Sequence, residues 1–341
     1  MYIVKGMNKW AALQDARYAL SLSFLWSVMI FFAHVILEWK AIALPQLPVT
    51  TIGIVVSLYL GFKSTSAYSR WWEARKVWGS IVNASRIWAN QALAMPDQHD
   101  NKDALTKELV TRHMAWVQAL AYQLRAKSRL PETTAPFIFG SRVSGIEKIV
   151  HSGDAAYYQG LLSESDRNAV AGATNPAVQI LRLQGDHLRR VHEAGLLDSF
   201  RFVAMMQTIN DCYDYQGMCE RIKNTPFPRQ FTVLGRYFAW IFIFLLPLAF
   251  VQLFEQEVQV LALNGLARSE YMFALVPFTM LVSLIFYLLE KVSESCEDPF
   301  EWSPTDVPVA ALSRAIEIDL RQMLGETDTP EPLQPIRGAI Y

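Results

Sequence analysis

Ile54, Leu58 and Phe62 recur every fourth residue in a stretch without charge from Ala41 to Phe62. On a helix they share one narrow stripe, with Ser57 and Gly61 one step over. Lys63, Ser64, Thr65 and Ser66 follow at once, a continuation that lipid would not accept. A helix apolar along one stripe and abruptly polar beyond it suits the wall of a pore. Rings of Ile, Leu and Phe from several copies make a hydrophobic constriction that gates by excluding water. Ordinary helix packing produces the same spacing, so the pattern alone leaves both readings open.

Other reactive groups are sparse. Asp211, Asp214 and Glu220 share one expected helix with Cys212, Tyr213 and Tyr215. Carboxylates three apart can hold a metal, but Glu-x-x-His is missing, and Arg221 and Lys223 lie near enough to pair with them. His187 and His192 are five apart, a poor spacing for one helical face. His34, near the end of an apolar run, fits an interfacial side chain better than a ligand. No GxSxG, HExxH, Walker loop or GxGxxG occurs. Cys212, Cys219 and Cys296 are the three cysteines, without CxxC, so neither a disulfide framework nor a zinc site is expected. No metal, cofactor or catalytic residue is expected, and a net charge of −1 gives no case for nucleic acid.

The elements that must hold the stripe follow from hydropathy. Charged residues are 18% of the chain against 52% apolar, where a soluble domain carries about a quarter charged. Part of the chain therefore belongs in lipid. Tyr18–Leu37, a run of 20 residues free of Asp, Glu, Lys and Arg, is long enough for the roughly 30 Å hydrocarbon core. The second span is interrupted by Pro45 and Pro48 and should start near Val49, which leaves a short helix before Lys63. Tyr237–Phe254 and Tyr271–Leu289 make the third and fourth spans, with kinks expected at Pro247 and Pro277. Between the pairs lies a charged, amphipathic segment. There Leu105, Leu109, Trp116, Leu120 and Leu124 form one helical stripe. Asn175-Pro176 should open a helix running through His187. Further helices are expected from about Leu196 to Lys223 and from about Val307 to Leu324.

Met1 to Arg17 is polar and mixed in charge, unlike a secretory signal. Lys5, Lys9 and Arg17 precede the first span, Lys63 to Arg86 follow the second, and Lys223, Arg229 and Arg236 precede the third. The loop between the third and fourth spans carries Glu255, Glu257 and Glu270 against Arg268. This bias puts both termini and the large helical segment in the cytoplasm. The expectation is an all-α, four-span membrane protein with a large helical cytosolic part, assembling around a central pore. Its parts are an N-terminal segment (1–17), two spans (18–62), a cytosolic helical region (63–230), two spans (231–290), a helical cytosolic segment (291–324) and a proline-rich tail (325–341). The tail would be ordered only where it lies on something.

Three stretches carry a resemblance. GFKSTSAYSRWWEARKVWG at Gly61–Gly79 strongly resembles the signature after the second helix of bacterial bestrophins. CERIKNTP at Cys219–Pro226 looks like that family's motif before its third span. EDPF at Glu297–Phe300, with Asp306, Pro308 and Leu312, is similar to the segment after its fourth. The resemblance implies a homopentamer in the bacterial inner membrane, with lipid around it and monovalent ions through it. It implies that Ile54, Leu58 and Phe62 form the neck. It also implies a cytosolic aperture at Ala177, after Asn175-Pro176, where relatives usually carry a larger aliphatic residue. The acidic run by which animal members hold calcium is missing here. Glu297 and Asp298 offer too few oxygens for a cation that takes six to eight. Bacterial members imply cation permeation, and the acidic outward loop agrees, so Na+ or K+ is expected; chloride, as in animal and plastid members, is the alternative. A non-conducting scaffold and a metal-dependent membrane enzyme stand as the further alternatives.

Overall fold

The structure, a computed structural model, describes residues 9–94, 102–126, 155–336 and 338–341. Lys5 and the rest of Met1–Asn8, and parts of the 63–230 region (95–101 and 127–154), lie outside the described residues. Among the described residues four stretches are long and apolar enough to cross a membrane: Ala16–Ile36, Lys40–Leu93, Arg229–Val260 and Gly265–Glu297.

Helix α1 (Lys9–Phe31) passes into a π turn, Phe32–Ile36. Helix α2 (Gln46–Leu93) runs unbroken for 48 residues. It starts three residues before the expected Val49. Pro48 lies in its first turn, where the missing N–H has no intrahelical partner to lose. The Gln46 N–H is taken by Gln252 Oε1 at 2.8 Å. The helix does not stop at Lys63, because that side chain turns inward onto carboxylates. A short apolar run therefore becomes the first half of a long rod.

Helix α3 (Lys102–Ala126) buries Leu109, Trp116, Leu120 and Leu124. Short α4 (Ala155–Gly160) and α5 (Glu164–Val170) lead to α6 (Pro176–Glu193) and α7 (Ser199–Asn224). Asn175 caps α6 as its sequence implies, accepting from the Val178 N–H at 3.1 Å. Asp198 caps α7 through the N–H groups of Phe200 and Arg201. With the distal half of α2 these helices enclose one apolar core, in which Trp78, Trp88 and Trp116 are fully buried.

Helix α8 (Arg229–Val260) carries Pro247 inside it. The fourth span is two helices, α9 (Gly265–Phe273) and α10 (Leu275–Glu297), parted at Ala274. The expected kink at Pro277 is thus a break three residues earlier, which places the proline in the first turn of α10. Helix α11 (Val309–Met323) follows a loop through Asp306. The tail does lie on something: Leu333, Ile336, Ala339 and Tyr341 pack on Trp302 and Ala310, and the Ala311 N–H donates to the Tyr341 carbonyl at 2.7 Å.

Candidate functional site: an open stripe on a buried rod

On α2, Val49, Gly53, Val56, Leu60, Lys63 and Ala67 alternate in steps of three and four and face inward. That spacing makes one continuous buried seam. The opposite face is the stripe of interest. Ile54 is 65% exposed, Leu58 60% and Phe62 65%. Ser57 and Gly61 beside them are exposed too, and a methyl at Gly61 would meet nothing within 4 Å. The described residues of the chain therefore leave the stripe largely uncovered. The hydroxyls of Ser57, Thr65 and Ser69 each donate to a carbonyl four residues back, so none is left as an unpaired donor.

Small residues set how close the seam comes to α8. A Cβ on Gly53 would lie 2.7 Å from the Phe242 ring. One on Gly235 would lie 3.2 Å from Lys63 Cδ and Tyr59 Cε1. Two glycines facing opposite ways let the backbones approach, the usual device between membrane helices. Beside the stripe an apolar groove of about 690 Å3 opens between α2, α8 and α10, lined by Gly53, Ile54, Leu58, Phe242 and Phe286 among others.

Directly below Phe62 the helix is fastened by charge. Lys63 is fully buried, with Nζ 3.3 Å from Glu290 and 3.2 Å from Glu297. Thr232 donates to the second Glu297 oxygen at 2.7 Å, and Arg236 holds Glu294 at 2.7 Å. Arg70 then reaches across two helix ends. It donates to the Glu297 carbonyl at 2.7 Å, to the Thr225 carbonyl at 2.6 Å and to the Ile222 carbonyl. A guanidinium at the C-termini of α7 and α10 satisfies orphan carbonyls and opposes both helix dipoles. From sequence, Arg70 belongs to the Gly61–Gly79 stretch but gives no sign of these partners. The clamp is hidden there because its partners are backbone carbonyls 152 and 227 residues further along the chain. Every helix end needs such donors, and no residue type marks which end will receive them.

The remaining sequence candidates fall elsewhere. Ala177 is fully buried in its own subunit, with its N–H donated to Gln123 Oε1 at 2.9 Å. Its methyl joins the helical core beside Ile180 and Leu181. Arg221 and Lys223 do not pair with Asp211 or Asp214; they reach Glu73 at 2.9 Å and Glu301 at 2.6 Å. Glu220 accepts from Asn175 and Gln216. His187 sits on Arg112 at 2.6 Å, and burial lowers its pKa against the pull of Glu108. His192 meets the Leu197 carbonyl at 2.7 Å and stacks on Phe202. Among the described residues no three His, Cys, Asp or Glu converge as metal ligands. Asp298 lies 3.9 Å from Arg70, so both acids of the EDPF stretch already face cations.

Past that stretch, burial raises the Asp306 carboxyl to about 7, opposed by Arg125. Burial also lowers the Lys223 ammonium against the pull of Glu301. Near the C-terminal end of α8, Glu255 is held by Arg268 at 3.1 Å and lies 3.4 Å from His34.

A family model described as Bacterial/Fungal Bestrophin protein matches residues 12–322. The chain belongs to the bacterial and fungal bestrophin family. It is 28% identical over 323 residues to the voltage-dependent anion channel-forming protein YneE of Escherichia coli O157:H7, covering 93% of this chain and 90% of that one. It is 29% identical over 280 residues to the voltage-dependent anion channel-forming protein mll4386 of Mesorhizobium japonicum, covering 82% and 75%. The fold matches the crystal structure of a bacterial bestrophin homolog from Klebsiella pneumoniae with a TM-score of 0.74 at 24% identity, over 91% of this chain and 98% of that one. This bestrophin is thus a helical membrane protein from a family of ion channels. The motifs at Gly61–Gly79, Cys219–Pro226 and Glu297–Phe300 meet in one place, below Phe62, where Arg70 ties their backbones together.

Proposed function

We propose that this bestrophin is a homopentameric ion channel of the bacterial inner membrane, with Ile54, Leu58 and Phe62 as its hydrophobic neck. The observation that carries this is the open stripe. A helix fixed on its inner side by Lys63, Arg70 and two glycine contacts leaves three large apolar side chains more than half exposed. Rings of such side chains around an axis exclude water unless the helices part. The apolar groove beside Leu58 is a seat for α2 of the next copy, which would cover apolar surface that the described residues of its own chain leave open. The lysine and arginine bias orients both termini to the cytoplasm.

The conducted ion is an anion, chloride being the simplest. The relatives named as anion channel-forming support this over the cation preference drawn from sequence. That preference rested on the likeness to bacterial members together with the outward carboxylates, and of these Glu255 is already paired with Arg268. The neck carries no charge and acts on hydration and size alone. Purified protein in planar bilayers under a salt gradient should reverse near the chloride potential; reversal near the cation potential returns the selectivity to Na+ or K+. Leu58→Ala should raise single-channel conductance or open probability. Unchanged flux in that variant would remove the neck.

A further inference from the structure

Helix α2 continues past the neck without a break to Leu93, so its open face can be followed below the membrane. Lys76 lies 18 residues beyond Leu58, about five full turns of a helix, and so at the same azimuth. The residues between on that face, Thr65, Ser69 and Trp72, are all exposed. Lys76 stands about 21 Å along the axis from Phe62.

The other cations of this rod are mostly engaged. Lys63 lies between Glu290 and Glu297, Arg70 on three carbonyls, and Arg86 on Asp319 at 2.6 Å. Glu73, the acid closest to Lys76 along the helix, is held by Arg221. Lys76 is exposed and has no ion-pair partner among the described residues. It borders a shallow groove of about 590 Å3 with Arg75, Ser80 and Asn83, none of them acidic.

We infer that Lys76 is a specificity-determining residue, one from each copy forming a positive ring in the vestibule below the neck that concentrates anions on their way to it. The inference rests on the pore reading of the Leu58 face and adds to it a source of charge selection that the uncharged neck lacks. A ring of like charges lining a low-dielectric vestibule raises the local concentration of the opposite ion and lowers that of its own sign. It acts over about a Debye length, roughly 10 Å in 0.1 M salt and 3 Å in 1 M.

The test is the chloride-to-sodium permeability ratio of reconstituted full-length protein carrying Lys76→Glu, Lys76→Gln or Lys76→Arg. In 0.1 M salt Lys76→Glu should lower the ratio by about threefold or more. Lys76→Gln should fall between, and Lys76→Arg should keep the unsubstituted value. In 1 M salt the differences should shrink. Lys76 is solvent-exposed, so assembly checked by size-exclusion chromatography should be unchanged. If Lys76→Glu leaves ratio and conductance unaltered in 0.1 M salt while Leu58→Ala still changes conductance, the ring is refuted and the neck stands. If Leu58→Ala is also inert, the pore reading fails and the ring with it.

Discussion

The helical body and the membrane layer treat large apolar side chains in opposite ways. In the body, Trp78, Trp88 and Trp116 are fully buried in a core drawn from α2, α3, α6, α7 and α11. In the membrane layer, Leu25, Leu37, Ile54, Leu58 and Phe62 are each 60% exposed or more. The body folds against water and closes on itself. The layer has other places for an apolar side chain: lipid, a neighbouring copy or, on the proposed reading, the stripe at the axis. Helix α2 belongs to both, and the change from one regime to the other falls at Lys63 and Arg70.

The largest effect should come at that junction. Replacing Lys63 with Met leaves Glu297 buried without its cation and Glu290 facing only Arg236, 3.7 Å away, which costs about 3–5 kcal/mol. Thermal denaturation in detergent should show the loss, and adding Glu290→Gln should restore part of it. An unshifted midpoint would mean that the junction is not held by charge.

The contrast itself is sharpened by two truncations of similar size. Trp116→Ala removes a packed core side chain and should cost about 3–5 kcal/mol. Phe62→Ala sits on the open stripe and should cost less than about 1 kcal/mol of subunit stability, while altering ion flux. Equal destabilisation by both would break the comparison.

A further difference is in proton linkage. Burial between Trp88 and Trp116 depresses the His113 pKa to about 3, and its Nε2 meets Ser85 at 2.9 Å. Between about 6.5 and 3 the unfolded chain binds a proton that the folded one refuses. The stability from neutral His113 is therefore full above about 6.5 and is lost as pH falls, by up to about 1.4 kcal/mol per unit. Midpoints between pH 7.5 and 5 should fall less steeply in His113→Phe; parallel curves would show that His113 titrates normally. The smallest effect is at Arg86–Asp319, on the body's solvated face. Arg86 is half exposed there, so Arg86→Ala should cost about 1 kcal/mol or less by the same denaturation measurement.

Much of this is legible in the sequence. Charge-free runs mark the spans, and Asn175-Pro176 gives the start of α6, because both signals are local. The Ile54–Leu58–Phe62 stripe follows from spacing, though its exposure does not. What stays hidden depends on distant partners. Lys63 reads as the polar end of a span until Glu290 and Glu297 are seen beneath it. Ala177 has nothing in its own sequence to show that it packs inward under Gln123. Arg221 and Lys223 have nearer carboxylates in sequence than the ones they reach, since helix packing sets ion pairs more than spacing does.

The central claim is that the open stripe of α2 faces a shared, water-filled axis. Phe62→Cys, made with Cys296→Ser, tests it directly, because Cys212 and Cys219 are buried and burial pushes both thiols up, Cys212 to about 12. Applied to single open channels in a bilayer, a charged water-soluble thiol reagent should change the current in discrete, irreversible steps. Full modification of the introduced thiol with an unaltered current would contradict the account.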